Sequence, residues 1–266
     1  MAIGWPIKKK KRIARATTRQ ALLEIGERTV EVNLRANPRA RRYIVKVDPT
    51  TGDVSVTAPS ARSLSDALDF AKKERDWIAE MLANVPTPVE IGFGSPILYR
   101  GVQHILLPAE PEDGKARRGA VWLDDTAAHS TIRVTGQPAH VPRRVRDWLK
   151  AEARRHIGER VVQYATELDV QPKRVSVRDT TSRWGSCSSH NYLSFSWRLI
   201  MAPPHVLDYV VAHEVAHLRE LNHGPIFWSH VEELVPHTKR SQIWLEEHGS
   251  ALYRYAPRAR KTQAPL

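Results

Sequence analysis

The sequence predicts an α+β protein: a β-rich N-terminal region with one helix, then a domain in which helices pack beside a small antiparallel sheet. Three observations carry this. Strand-like alternation dominates before residue 60 and returns in short runs up to Val134. An apolar stripe at helical spacing runs unbroken from Val141 to Leu168. The last hundred residues then set two strand-like runs against three helical ones.

In chain order, residues 1–20 are basic and without period, and are expected to be a disordered arm. Thr29–Leu34, Tyr43–Asp48 and Val54–Ala58 read as strands, the last two joined by a Pro49–Asp53 turn with a hairpin signature. Ser63–Asn84 reads as one helix, with Leu64, Leu68, Ala71, Trp77, Ile78, Met81 and Leu82 on its apolar side and Pro86 and Pro88 ending it. Short strands follow at Ile97–Leu107, around Arg100-Gly101, and at Val121–Leu123 and Thr131–Val134. Pro108–Gly119 reads as a flexible excursion. Val141–Leu168 is a long helix whose basic face, from Arg143 to Arg160, is either solvated or follows phosphates. Arg174–Arg178 and Tyr192–Trp197 are strands on either side of the polar stretch Thr181–Asn191. Helices follow from about His205 to Leu221, from Pro225 to about Leu234, and from about Lys239 to Leu252. The expected organisation is a basic arm at 1–20, the β-rich region at 21–139, a catalytic domain at 140–254 and a basic tail at 255–266.

Composition excludes several classes. With 266 residues, 41% hydrophobic and 26% charged, the chain is globular and long enough to fold without disulfides or a structural metal. The single cysteine, Cys187, excludes an internal disulfide and a Cys-rich zinc finger. No apolar run is long enough to span a membrane, and the Lys8–Arg12 cluster is not followed by a signal-type apolar segment, so a cytoplasmic location is expected. The net charge of +12 suits nucleic acid or other anionic partners, or equally a set of solvated arms, since much of the excess sits near the chain ends.

The chemistry is written in His213-Glu214-Val215-Ala216-His217. On a helix, residues i and i+4 lie about 40° apart, so both imidazoles can reach one metal ion. Glu214 is offset by about 100°, beside the metal, where a carboxylate can accept a proton from an activated water. The residues around the motif are apolar almost all round, so the helix is buried, and polar groups there are costly unless paired or metal-bound. His223 follows in Asn222-His223-Gly224-Pro225, a helix-stop sequence that can turn the chain and return it as a third ligand. Glu232 or Glu233 on the next helix are the rival third ligands, and Cys187 as a fourth would make a closed structural site. His205, His230, His237 and His248 read as ordinary histidines.

These residues resemble the YgjP-like branch of the SprT-like zinc metallopeptidases. The likeness is carried by Val210–Leu218, Asn222–Trp228, the upstream Ser182-Arg-Trp-Gly-Ser-Cys-Ser188, Trp197–Ile200 and Pro203-Pro204, and more weakly by the N-terminal strands and the Trp77-Ile78 helix. It implies a zincin-like domain, one zinc per chain bound by His213, His217 and His223, and Glu214 as catalytic acid/base. A metzincin would have glycine where this chain has Glu220.

The Ser182–Ser188 segment offers a guanidinium fork at Arg183, a flat face at Trp184 and a possible close backbone approach at Gly185. Arg183, Trp184 and Asn191 are the candidate substrate-binding residues, with His190 and Tyr192 as further possible donors; alternatively Trp184 is core and Arg183 answers Asp179. The expected function is zinc-dependent hydrolysis of peptide bonds in a peptide or protein. The alternatives are a zinc phosphohydrolase acting on nucleotides, a DNA-associated protease, and a non-catalytic metal-stabilised module.

Overall fold

The computed structural model describes residues 18–48, 51–85, 87–109, 120–124, 129–180 and 183–255. The basic arm before Thr18, part of the 49–53 turn, most of the 108–119 excursion, Ser182 and the tail beyond Tyr255 lie outside the described residues. The chain forms two compact units that divide between Asn84 and Val85.

The first unit is a four-stranded sheet with two helices. Strands β1 (Thr18–Ile25), β2 (Arg28–Ala36), β3 (Ile44–Val47) and β4 (Val54–Ala58) are arranged in the order β1-β2-β4-β3. Two antiparallel hairpins lie side by side, and their second strands, β2 and β4, pair in parallel. β1 begins inside the stretch expected to be disordered, because its residues find ladder partners along the whole of β2. Leu23, Val32, Leu34, Val54 and Val56 form the buried face, covered by α1 (Leu64–Lys73) and α2 (Arg75–Ala83). The single helix expected over 63–84 is thus broken at Glu74, and Trp77 faces solvent.

The second unit repeats this strand plan. β5 (Pro96–Tyr99), β6 (Val102–Pro108), β7 (Val121–Asp124) and β8 (Thr131–Val134) are arranged in the order β5-β6-β8-β7, again with the two inner strands parallel. The 27-residue α3 (Val141–Glu167) packs on them through Val141, Val145, Leu149, Ala153, Ile157, Val161 and Ala165, one residue in every four. Because Ile97, Tyr99, Leu106, Ile132 and Val134 share one core with α3, these strands belong with the C-terminal elements. The compact-unit division therefore falls well before the expected 139/140 boundary. The basic face of α3 is partly answered by its own neighbours: Arg155 pairs with Glu152 and Glu159, and Arg160 with Asp208.

A third sheet, β10-β11-β9, comprises β9 (Arg174–Arg178), β10 (Gly185–Cys187) and β11 (Tyr192–Ser196). It is mixed, not antiparallel as expected. The chain leaves β9 for the far edge, and β11 hairpins back from β10 into the slot beside β9, running in the same direction. α4 (Pro204–Ala216), α5 (Pro225–Leu234) and α6 (Thr238–His248) complete the unit.

The β5–β6 turn fixes the start of α4. Arg100 and Gly101 have φ of 50° and 80°, a two-residue hairpin turn with both residues left-handed. Their amides donate to the carbonyls of Ile200 and Met201. A Cβ on Gly101 would stand 2.9 Å from Cα of Pro203, the residue capping α4. Pro204 then occupies the first helical turn, where its missing N–H costs nothing.

Candidate metal centre and active site

α4 is buried on nearly every side, by Val206, Leu207, Tyr209, Val210, Val211, Ala212, Val215 and Ala216. This is what its apolar sequence requires. It stops at Ala216, five residues before the expected end, because the amides of Leu218 and Arg219 turn back to the carbonyls of Val215 and Ala216 in tighter three-residue steps. Arg219 Nε ties this turn to the carbonyl of Leu168 at 2.7 Å.

Glu220 then shapes the return. Its carboxylate accepts from the amide of Asn222 at 2.9 Å. Its carbonyl lies 3.1 Å from Nδ1 of His217. With that nitrogen as donor, the lone pair of His217 is on Nε2. The departure from metzincin glycine is therefore a residue with a local role, which sequence reading missed.

The turn brings three histidines together. The ligand nitrogens of His213, His217 and His223 lie within 4.8 Å of one another, and Nε2 of His223 is 3.2 Å from Nε2 of His213. The fully buried Phe227 packs under all three rings, with centroid distances of 4.4–4.9 Å. Burial, with the neighbouring histidines, lowers the pKa of His213 to about 4; burial also lowers that of His217. Both rings are therefore neutral at pH 7, the state a metal ligand needs. The donor set thus fits a metal ion: three imidazoles with ligand nitrogens within 4.8 Å of one another, His213 and His217 among them held neutral by burial. Among the described residues, Glu232, Glu233 and Cys187 are outside this cluster, as are His205, His230, His237 and His248.

Glu214 is 7% exposed. Burial raises its pKa to about 7, against the opposing effects of Arg183 and a hydrogen bond from the backbone amide of Cys187. That amide is available because β10 is an edge strand. Ser188 N–H donates to Tyr192 O and Ser196 N–H to Trp184 O, so the backbone groups of Gly185 and Cys187 point to the free edge. A Cβ on Gly185 would stand 2.5 Å from Oε1 of Glu214. Gly185 thus makes the close approach anticipated for it. The Cys187 thiol is pushed up to about 11 by burial and by Glu214, so it stays protonated.

The three candidate substrate residues are placed differently. Arg183 is exposed and lines a cleft of about 360 Å³ over the β9–β11 sheet, which Gly185 also lines. Trp184 packs on Tyr253, 5.3 Å between centroids, and against Gly249. Asn191 takes the left-handed position of the β10–β11 hairpin, φ 61°, and its carbonyl accepts from Lys173. Neither Trp184 nor Asn191 lines the cleft. His190 and Tyr192 stack on one another 6.0 Å apart, with Tyr192 on the cleft wall. Asp179, considered a partner for Arg183, is paired with the buried Arg198.

A family model described as YgjP-like, metallopeptidase domain, matches residues 41–248. The chain belongs to the YgjP-like metallopeptidase family. Membership implies a metal-dependent hydrolase with a peptide or protein substrate. The YgjP-like match runs from before β3 to the end of α6 and so includes the histidine cluster, Glu214 and the β10 edge. The chain is also similar to the crystal structure of the metallopeptidase zymogen of Pyrococcus abyssi abylysin, at 18% identity and a TM-score of 0.31, over 35% of this chain and 92% of that one. No curated protein matches it. Among the described residues, no helix is long and apolar enough to cross a membrane.

Proposed function

We propose that the second unit is a zincin-like catalytic domain that hydrolyses peptide bonds with one zinc ion held by His213, His217 and His223. The observation carrying this is the convergence of three imidazoles, with a buried carboxylate on the adjoining residue of the same helix. Three nitrogen ligands leave a fourth position open, the arrangement of catalytic rather than structural zinc. When bound, zinc supplies Lewis-acid activation of water and of the scissile carbonyl.

The chain's own residues do the rest. Glu214 takes the water's proton and returns it to the leaving amine, and a pKa near 7 suits both halves of that task. The amide of Cys187 and the bare backbone of Gly185 fix the carboxylate's position. Glu220 orients His217, and Phe227 keeps water from the inner face of the imidazoles. Arg183 stands at the mouth of the cleft, beside Glu214, and is the residue to which we assign substrate contact.

The test is to screen the zinc-loaded full chain against casein, peptide pools and nucleotide panels, beside a Glu214→Gln control. Peptide cleavage that vanishes in the control supports the reading. Cleavage of nucleotides alone, or activity retained in the control, overturns it.

A further inference from the structure

We infer that the cleft over the β9–β11 sheet selects acidic peptides, with Arg174, Arg178 and Arg183 receiving substrate carboxylates. This rests on the peptide-hydrolysing reading and names its substrate class. Arg174, Ser176 and Arg178 alternate along β9 and so share one face. The strand register places Ser194 beside Ser176, and Ser186 beside Ser194, so a row of hydroxyls crosses the sheet between the arginines. All six residues line the same cleft.

The three arginines are exposed; Arg174 and Arg178 have no ion-pair partner among the described residues, while Arg183 acts on Glu214. Some arginines elsewhere in this unit are answered by carboxylates, among them Arg133 by Asp124, Arg155 by Glu152, Arg160 by Asp208 and Arg198 by Asp179. The cleft thus concentrates cationic forks with serine side chains between them, the chemistry that recognises carboxylates. Gly185 lines the cleft with its backbone, but its Cβ direction alternates with that of Ser186 and meets Glu214 on the other face, so the cleft meets the reacting group around the free edge of β10.

Spacing favours a peptide over a single phosphoryl group. Arg174 and Arg178 are four residues apart on one strand, about 13 Å along its axis. An extended peptide lying along β9 repeats its same-face side chains about every 6.6 Å, so every second one matches that spacing. A lone phosphate reaches one guanidinium well and the other poorly.

The test uses the zinc-loaded full chain carrying Glu214→Gln, which leaves a bound probe uncut. Fluorescence anisotropy at near-physiological salt compares a short labelled peptide bearing Glu at alternate positions with the same peptide bearing Gln. The Glu peptide is expected to bind about tenfold tighter or more. Adding Arg174→Gln and Arg178→Gln should erase the difference. Adding Arg174→Glu and Arg178→Glu should reverse it in favour of a Lys peptide, which also shows that the altered cleft is folded. Equal binding of Glu and Gln peptides overturns the inference. So does inorganic triphosphate or a single-stranded oligonucleotide displacing the probe at lower concentration than unlabelled Glu peptide, with the same dependence on arginine. Wild-type cleavage of both peptides alongside equal binding would remove the acidic preference and leave the hydrolytic reading intact. Arginine-dependent binding of a Glu peptide that wild type never cuts would do the reverse.

Discussion

Gly185 and Glu214 meet so closely that no side chain fits between them: a Cβ at 185 would lie 2.5 Å from both Cγ and Oε1 of the glutamate. The contact joins the edge of β10 to the helix bearing the histidines. It makes a prediction distinct from that for a metal ligand. Gly185→Ala should keep its metal, since the ligands lie elsewhere, yet turn Glu214 away from its hydrogen bond with the Cys187 amide. Turnover should fall on the order of 100-fold for a displacement of about 1 Å. Metal content and steady-state kinetics, measured together, check this; a variant with normal turnover would mean that Glu214 tolerates displacement.

The burial of Glu214 also gives stability a pH dependence. Its pKa rises from the ordinary 4.5 to about 7 in the folded chain, so the fold holds the proton more tightly than the unfolded chain does. The stability this contributes is complete below about pH 4.5 and is lost as pH rises through about 7. His213 and His217 act in the opposite sense, since their depressed values cost stability as pH falls below the ordinary 6.5. The difference between wild type and Glu214→Gln isolates the carboxylate. In chelator-treated protein, the Gln variant should gain on wild type as pH rises, by up to about 3 kcal/mol at pH 8. Paired thermal melts from pH 4 to 8 measure it, and a difference flat across that range would sink the assignment.

Much of this was legible in sequence because local chemistry dictates it. The every-fourth-residue stripe of α3, the Arg100-Gly101 turn and the apolar envelope of α4 are properties of short windows, and each element forms within a few residues of its expected place. Pairing between distant strands was not legible. Nothing near Arg174 reveals that β11 will lie parallel to it, or that β5–β8 share a core with α3. The same limit applied at the site. The histidine spacing and helix-stop sequence pointed to convergence, but the Glu220 carbonyl behind His217 and Phe227 beneath the rings depend on where the 217–224 turn goes. Trp184 reads equally as a ligand contact or as core, and only the fold shows it stacked on Tyr253 and Asn191 at the left-handed position of a hairpin.

The strand end that leads to Arg183 and Gly185 is tied down by an ion pair between a buried arginine and a half-buried aspartate. Arg198 is 1% exposed, paired with Asp179 and held between the rings of Trp197 and Tyr253 at 4.5 and 4.9 Å. Tyr253 in turn donates to the carbonyl of Thr180. Asp179→Ala strands a guanidinium in the core and should cost about 3–5 kcal/mol. The double change Asp179→Ala with Arg198→Met removes both charges and should recover part of that loss. Denaturant melts of the three proteins test the coupling, and strict additivity would show that the pair does not act as a unit.

The third ligand can be separated from its rivals by metal analysis. His223 reaches the cluster only because the chain turns after Ala216, whereas Glu232 and Glu233 are exposed on α5 and outside it. Purified protein should carry about one zinc per chain, and His213→Ala or His217→Ala should abolish it. His223→Ala should weaken zinc by orders of magnitude, since two nitrogens on one helix remain. It should also lower the melting temperature of zinc-loaded protein more than that of chelator-treated protein, because the lost ligand acts through the bound state. Glu232→Ala and Glu233→Ala should leave zinc content and melting unchanged. If His223→Ala keeps full zinc while either glutamate variant loses it, the third ligand comes from α5, and the 217–224 turn has some purpose other than metal binding.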